Sequence, residues 1–173
     1  MKLHIQIREK DSILNKNAVK WIAKLKLKKH PEGGYFRETY RSERRLVIPG
    51  YDGSRNLSSA IYFLLAKGQV SAFHKIKSDE IWHHYAGGVL SLQVIKDGRL
   101  SRLNLGSAGN GIPQILIEKG CWMAASISSG NYCLVGCTVT PGFDFRDWEL
   151  SKRSDLLALF PGHRAFIEKY TTV

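Results

Sequence analysis

Between Gly34 and Pro141 the chain is a succession of strand-length runs, each stopped by turn residues, and no stretch there keeps a helical period. Residues 35–41 alternate. Residues 58–65 (Ser-Ser-Ala-Ile-Tyr-Phe-Leu-Leu) are almost continuously apolar, and 81–85 follow. Residues 90–95 end at Asp97-Gly98, a hairpin signal, and 100–105 return. Residues 114–118 end at Lys119-Gly120, and 122–127 and 132–139 read as a further hairpin about Ser129-Gly130-Asn131. Many short strands with regularly spaced turns imply a β-sandwich or barrel. Helices are expected only outside this block. Ala18, Trp21, Ile22 and Leu25 have helical spacing, with Asn15 or Asn17 as the cap, before His30-Pro31-Glu32-Gly33-Gly34 breaks the period. Two short helices are expected at 154–160 and 163–170, parted by Pro161-Gly162.

At 173 residues, with no repeat, linker or low-complexity tract, the chain reads as a single domain: a basic segment with a helix at 1–29, the β-block at 35–140 and helices at 150–173. No apolar run reaches the ~18–20 residues of a membrane span, and the opening residues lack a signal-peptide pattern, so a cytoplasmic protein without membrane association is expected. Cys121, Cys133 and Cys137 read as reduced, buried thiols; their spacing does not suit structural zinc. The net charge is +11, and residues 1–29 hold nine Lys or Arg against Glu9 and Asp11. Such an end attracts polyanions, but these lysines also alternate with the apolar stripe as on a solvated helix face. No helix-turn-helix or aromatic-basic strand motif accompanies them, so no specific nucleic-acid partner is expected.

Chemistry concentrates in residues 71–88, Ser-Ala-Phe-His-Lys-Ile-Lys-Ser-Asp-Glu-Ile-Trp-His-His-Tyr-Ala-Gly-Gly. On a strand, Glu80, Trp82 and His84 share one face, and Ile81, His83 and Tyr85 the other. A carboxylate, an indole and an imidazole facing an apolar interior need partners or a wet pocket, since each unpaired polar group costs about 1–3 kcal/mol. Glu80 and His84 lie about 13 Å apart along a strand, too far to bond directly. Two readings stay open: a pocket with a ligand between them, or an exposed face.

This block resembles the first conserved motif of the cupin superfamily, with His74 as its first histidine, Glu80 as its glutamate and Gly87 as its glycine. Ile76 stands where the second histidine belongs. Lys119-Gly120-Cys121-Trp122-Met123 resembles the second motif, with Met123 in place of its histidine. At most two of four usual metal ligands survive, His74 and Glu80, where a catalytic metal normally takes three; His83 or His84 is the substitute the sequence offers. Residues 30–40 (His-Pro-Glu-Gly-Gly-Tyr-Phe-Arg-Glu-Thr-Tyr), 59–65, 74–87 and 134–145 are together similar to one cupin subfamily without a settled reaction. The resemblance implies an all-β fold, a cupin jelly-roll β-barrel with an N-terminal helix and short C-terminal helices, and a homodimer.

The function expected is small-molecule binding, of an anionic or sugar-like ligand, with epimerase- or isomerase-like chemistry and no tightly held metal. His74 is the candidate base, Tyr35 or Tyr62 the acid, Arg37 the anion holder and Trp82 a stacking surface, with Glu80, His84 and Trp122 completing the ligand site. Against these roles stand ordinary structural ones: an Arg37 pair with Glu38 or Asp144, and core filling by Trp82 and Trp122. The alternatives are a metal-dependent enzyme holding a divalent ion through His74 and Glu80, and a non-catalytic binding or oligomerisation domain. Whether Trp122 or Met123 faces inward depends on strand register, which the sequence leaves open. The aromatic residues at 143–150 are expected over a pocket mouth or a dimer surface.

Overall fold

The computed structural model describes residues 14–171. Helix α1 (Lys16–Leu25) starts where the Asn15 side chain accepts the Asn17 N–H, at 2.9 Å, and stops where Lys26 turns left-handed at φ 53°. Its apolar stripe of Ala18, Trp21, Ile22 and Leu25 lies against Tyr35, Leu64 and Leu134. Lys16, Lys20, Lys24, Lys26, Lys28 and Lys29 are exposed around it, while Lys2, Arg8 and Lys10 fall outside the described residues.

Thirteen strands follow: β1 (Lys28–Lys29), β2 (Tyr35–Arg41), β3 (Arg45–Val47), β4 (Ser54–Asn56), β5 (Ser59–Ala66), β6 (Val70–Ile76), β7 (Asp79–Gly87), β8 (Leu90–Lys96), β9 (Arg99–Leu105), β10 (Gln114–Ile117), β11 (Trp122–Ile127), β12 (Tyr132–Thr140) and β13 (Trp148–Leu150). One sheet runs β1-β2-β5-β12-β7-β10, the other β13-β6-β11-β8-β9, and β3-β4 is a separate hairpin. The two large sheets face each other over Phe63, Leu65, Trp82, Leu92, Met123 and Val135. This is the jelly roll read from the sequence, its sheets stacked without closing into a continuous barrel. Helices α2 (Arg153–Leu159) and α3 (Arg164–Tyr170) cover the outside of the second sheet, packing Leu156, Ile167 and Tyr170 on Phe73, Ile95 and Trp122. Among the described residues no helix is long and apolar enough to cross a membrane.

The β8–β9 hairpin turns at Asp97-Gly98 as expected, with φ 49° and 74° at its two central residues. The second expected hairpin does not form. β11 pairs with β6 and β8, whereas β12 pairs with β5 and β7 in the opposite sheet. Ser129-Gly130-Asn131 crosses between sheets because Gly88 lets the backbones touch: a Cβ there would stand 1.9 Å from the Ser129 carbonyl oxygen.

Candidate functional site

The turn at His30-Pro31-Glu32-Gly33-Gly34 builds one wall of the site. It closes by hydrogen bonds from His30 N–H to Gly34 O and from Gly33 N–H to His30 O, both 3.0 Å. Gly33 has φ +110°, and a Cβ on it would lie 2.1 Å from the Val70 carbonyl oxygen. Only glycine lets the turn lie this flat on β6. The Ala72 N–H then donates to Glu32 O at 2.9 Å, which ties the Glu32 backbone to β6.

Strand β6 carries the second wall. Between Met123↔His74 and Ala125↔Ser71, two steps on β11 face three on β6. This bulge turns Ser71 and His74 toward the same carboxylate despite their odd spacing: Ser71 Oγ lies 3.1 Å and His74 Nδ1 3.4 Å from Glu32 Oε2. Glu80 and Trp82 on β7 and Cys137 on β12 face the same space, where Cys137 pairs with Trp82. The result is a pocket of about 350 Å³, walled by Phe36, Ile61, Phe63, Ile76, Trp82 and Val139, with Glu38, Arg41 and the 143–145 segment at its mouth. That size and apolar lining suit a small ligand.

Burial favours the neutral form of both central groups, the imidazole and the carboxyl. Burial pushes the Glu80 carboxyl up to about 7, against the pull of the His74 charge, the Trp82 indole and the Cys137 thiol. Burial lowers the His74 pKa, opposed by Glu80. The His74 Nδ1–H donates to Ala72 O at 2.8 Å, which leaves Nε2 as the basic atom of the neutral ring. Burial raises Glu32, with His30, Trp148 and Ser71 pulling the other way; its Oε1 accepts the Trp148 indole N–H at 2.6 Å. The Trp82 indole nitrogen is buried beside Glu80 without a hydrogen bond of ordinary geometry. At the mouth the Arg41 guanidinium is engaged by both Glu38 oxygens and by Phe143 O at 2.8 Å.

The raised Glu80 sets a stability prediction. Its folded value lies above the unfolded one near 4.5, so stability is lost as pH rises from there to about 7 and stays reduced above. Glu80→Gln is therefore expected to match the parent chain at pH 4 and to exceed it at pH 8 by up to about 3 kcal/mol. Thermal or urea melts at the two pH values check this.

Of the residues expected from sequence, His74, Glu80 and Trp82 come together. The others do not. Tyr35, Arg37 and Tyr62 lie on the outer face of the first sheet, because β2 sends Phe36 and Glu38 inward. Arg37 stacks over the Tyr62 ring at 5.7 Å, pairing with neither Glu38 nor Asp144. Trp122 also faces outward, under α2 and α3 with Lys75 4.5 Å over its ring, and Met123 faces the core. His84 precedes a bulge in β7 and lies outside the pocket, its Nε2 3.2 Å from Gly88 O. The 143–145 segment does cover the pocket mouth. Sequence reasoning overlooked His30, Glu32, Arg41 and Cys137. The turn motif was the available signal for the first two; nothing local pointed to Cys137.

The donor set does not fit a cupin metal centre. Ile76 lines the pocket without a donor atom, and Met123 offers only a thioether from the core. Among the described residues no three His, Cys, Asp or Glu side chains converge as a metal site.

Residues 19–151 match the family model described as Cupin superfamily (DUF985). The crystal structure of a Shewanella oneidensis protein is 40% identical with a TM-score of 0.81, over 88% of this chain and 96% of that one. A hypothetical protein from Leishmania major is 32% identical with a TM-score of 0.85, over 90% and 99%. An uncharacterised protein of Saccharomyces cerevisiae is 32% identical over 145 residues, 75% of this chain and 72% of its own length.

Proposed function

The chain belongs to the DUF985 family of the cupin superfamily, and from that premise we propose that it is a small-molecule cupin that moves a proton beside a carbonyl group, as an isomerase or epimerase does. The observation that carries this reading is the pair His74 and Glu80: both buried, both facing one apolar-walled pocket, where burial favours the neutral imidazole and the protonated carboxyl. In this reading neutral His74 takes a proton at Nε2 from the carbon next to the carbonyl. The C–H electron pair becomes the new C=C bond, and the carbonyl π pair moves onto oxygen. The Trp82 indole N–H is the donor available to that oxygen. The oxygen pair then re-forms the carbonyl, and the C=C pair takes a proton from protonated Glu80 on the opposite face of the same carbon. His74 has then gained one proton and Glu80 has lost one, and transfer back between them restores the starting state.

The roles first assigned to Tyr35 and Tyr62 pass to Glu80, since neither tyrosine lines the pocket. An anionic ligand group would compete with Glu38 for Arg41 at the mouth. A sugar-sized keto compound is the substrate class that fits the volume.

Incubation with keto-sugars in deuterium oxide tests the reading. Deuterium is expected at the carbon beside the carbonyl. The rate should be bell-shaped in pH: it falls above about 7 as Glu80 ionises, and below the depressed pKa of His74, under 6.5, as the ring protonates. No incorporation across a panel of free and phosphorylated keto-sugars would overturn it.

A further inference from the structure

We propose that Glu32 is the electrostatic partner of His74: the carboxylate beside Nδ1 that supports the charged form of the imidazole once it has accepted a proton. This rests on the reading of His74 as proton acceptor.

Two histidines approach the same carboxylate oxygen. His30 Nδ1 lies 3.6 Å and His74 Nδ1 3.4 Å from Glu32 Oε2. They are not equivalent. His30 Nδ1 accepts the Glu32 backbone N–H at 3.3 Å, so that nitrogen carries a lone pair and no proton. His74 Nδ1 carries its proton, as the 2.8 Å contact with Ala72 O requires. Of the two rings, His74 is the one that presents an N–H on the side of Glu32 and a basic nitrogen on the other.

Glu32 is also held in place. Trp148 Nε1–H donates to Oε1 at 2.6 Å and Ser71 Oγ–H to Oε2 at 3.1 Å, which opposes the rise that burial imposes on its pKa and fixes its orientation. Its own backbone is tied to Ala72, the residue whose carbonyl holds His74. One turn and one bulge thus set both partners of the ring. The other titratable groups lining the pocket are His30 from the turn, Glu80 from β7 and Cys137 from β12, with Glu38 and Arg41 from β2 and Asp144 at the mouth.

The test is an NMR titration of the His74 ring in the ligand-free full chain, which needs no substrate. In Glu32→Gln the His74 midpoint should move to lower pH, because an anion beside the imidazolium is gone. Glu32→Asp should restore most of it. Ser71→Ala removes a donor that favours the ionised carboxylate and should move the midpoint to lower pH, the opposite of the rise that looser packing around the buried ring would give. An unchanged midpoint in Glu32→Gln, or equal shifts in Gln and Asp variants, overturns the proposal. If Glu32→Gln does not fold, an unchanged or raised midpoint in Ser71→Ala overturns it. Absent deuterium exchange together with the expected His74 shifts would sink the isomerase reading while leaving the Glu32–His74 pair in place.

Discussion

Alanine at position 74 is expected to reduce solvent-deuterium incorporation by about 10²–10⁴-fold, the range in which a positioned acid or base acts. The ring is 3% exposed and its Nδ1 is tied to Ala72, so Nε2 has one orientation into the pocket. No other lining side chain replaces it. His30 offers Nδ1 to the Glu32 backbone, and the Cys137 thiol is pushed well up by burial and by the neighbouring carboxylates. The informative controls are Tyr62→Phe and Arg37→Gln, on the outer face of the first sheet. Both are expected to leave the exchange rate within about twofold, since proton transfer requires contact at hydrogen-bond range. A His74→Ala chain that exchanges at the parent rate would remove His74 from the chemistry. A Tyr62→Phe chain that loses exchange would return the acid role to that tyrosine.

Asp147→Ala is expected to be the most damaging single change to stability, by about 3–5 kcal/mol. Its carboxylate meets Arg55 through two hydrogen bonds, one of 2.9 Å from Nη2 to Oδ1, with side chains only 1% and 5% exposed. The same guanidinium donates to the carbonyls of Asp52, Gly53 and Ser54 and stacks over Tyr51 at 5.6 Å. Removing the aspartate leaves a buried cation that cannot lose its proton. Against a typical total of about 5–15 kcal/mol the loss is large. It is read as a lower urea midpoint at unchanged slope. The effect should reach the pocket, because the segment held by this pair carries Phe143 and Phe145 at the mouth and Trp148 against Glu32. The double change Arg55→Met with Asp147→Leu should recover much of the stability, since the penalty comes from the unpaired charge rather than from the missing bond. Equal loss in single and double variants would refute that account.

The sequence by itself determined the strands, the flanking helices and the chemistry of residues 71–88. Apolar spacing of 2 or 3.6, interrupted by Gly, Pro and Asp-Gly, is a local property, and local geometry follows from it. The strands at 28–29, 45–47, 54–56 and 148–150 escaped notice because they are two or three residues long, too few to show a period, and β6 at 70–76 because its irregular register breaks the alternation. The resemblance brought His74 and Glu80 into one site by motif. Only the tertiary structure decided which face each strand turns inward. Alternation separates Tyr35 and Arg37 from Phe36 and Glu38, but assigns neither set to the core, and the packing under α1 chose. The same one-residue ambiguity put Trp122 outside and Met123 inside. A bulge in β6 then broke the count altogether. It brought Ser71 and His74 together at Glu32, whereas His84 keeps register with Glu80 and Trp82 and stands apart because it lies further along β7. Glu32 entered the site from 39 positions before Ser71 through a turn that two glycines press onto the sheet. Periodicity describes neighbours along a strand; which distant segments meet is settled by how the two sheets stack and where their register slips.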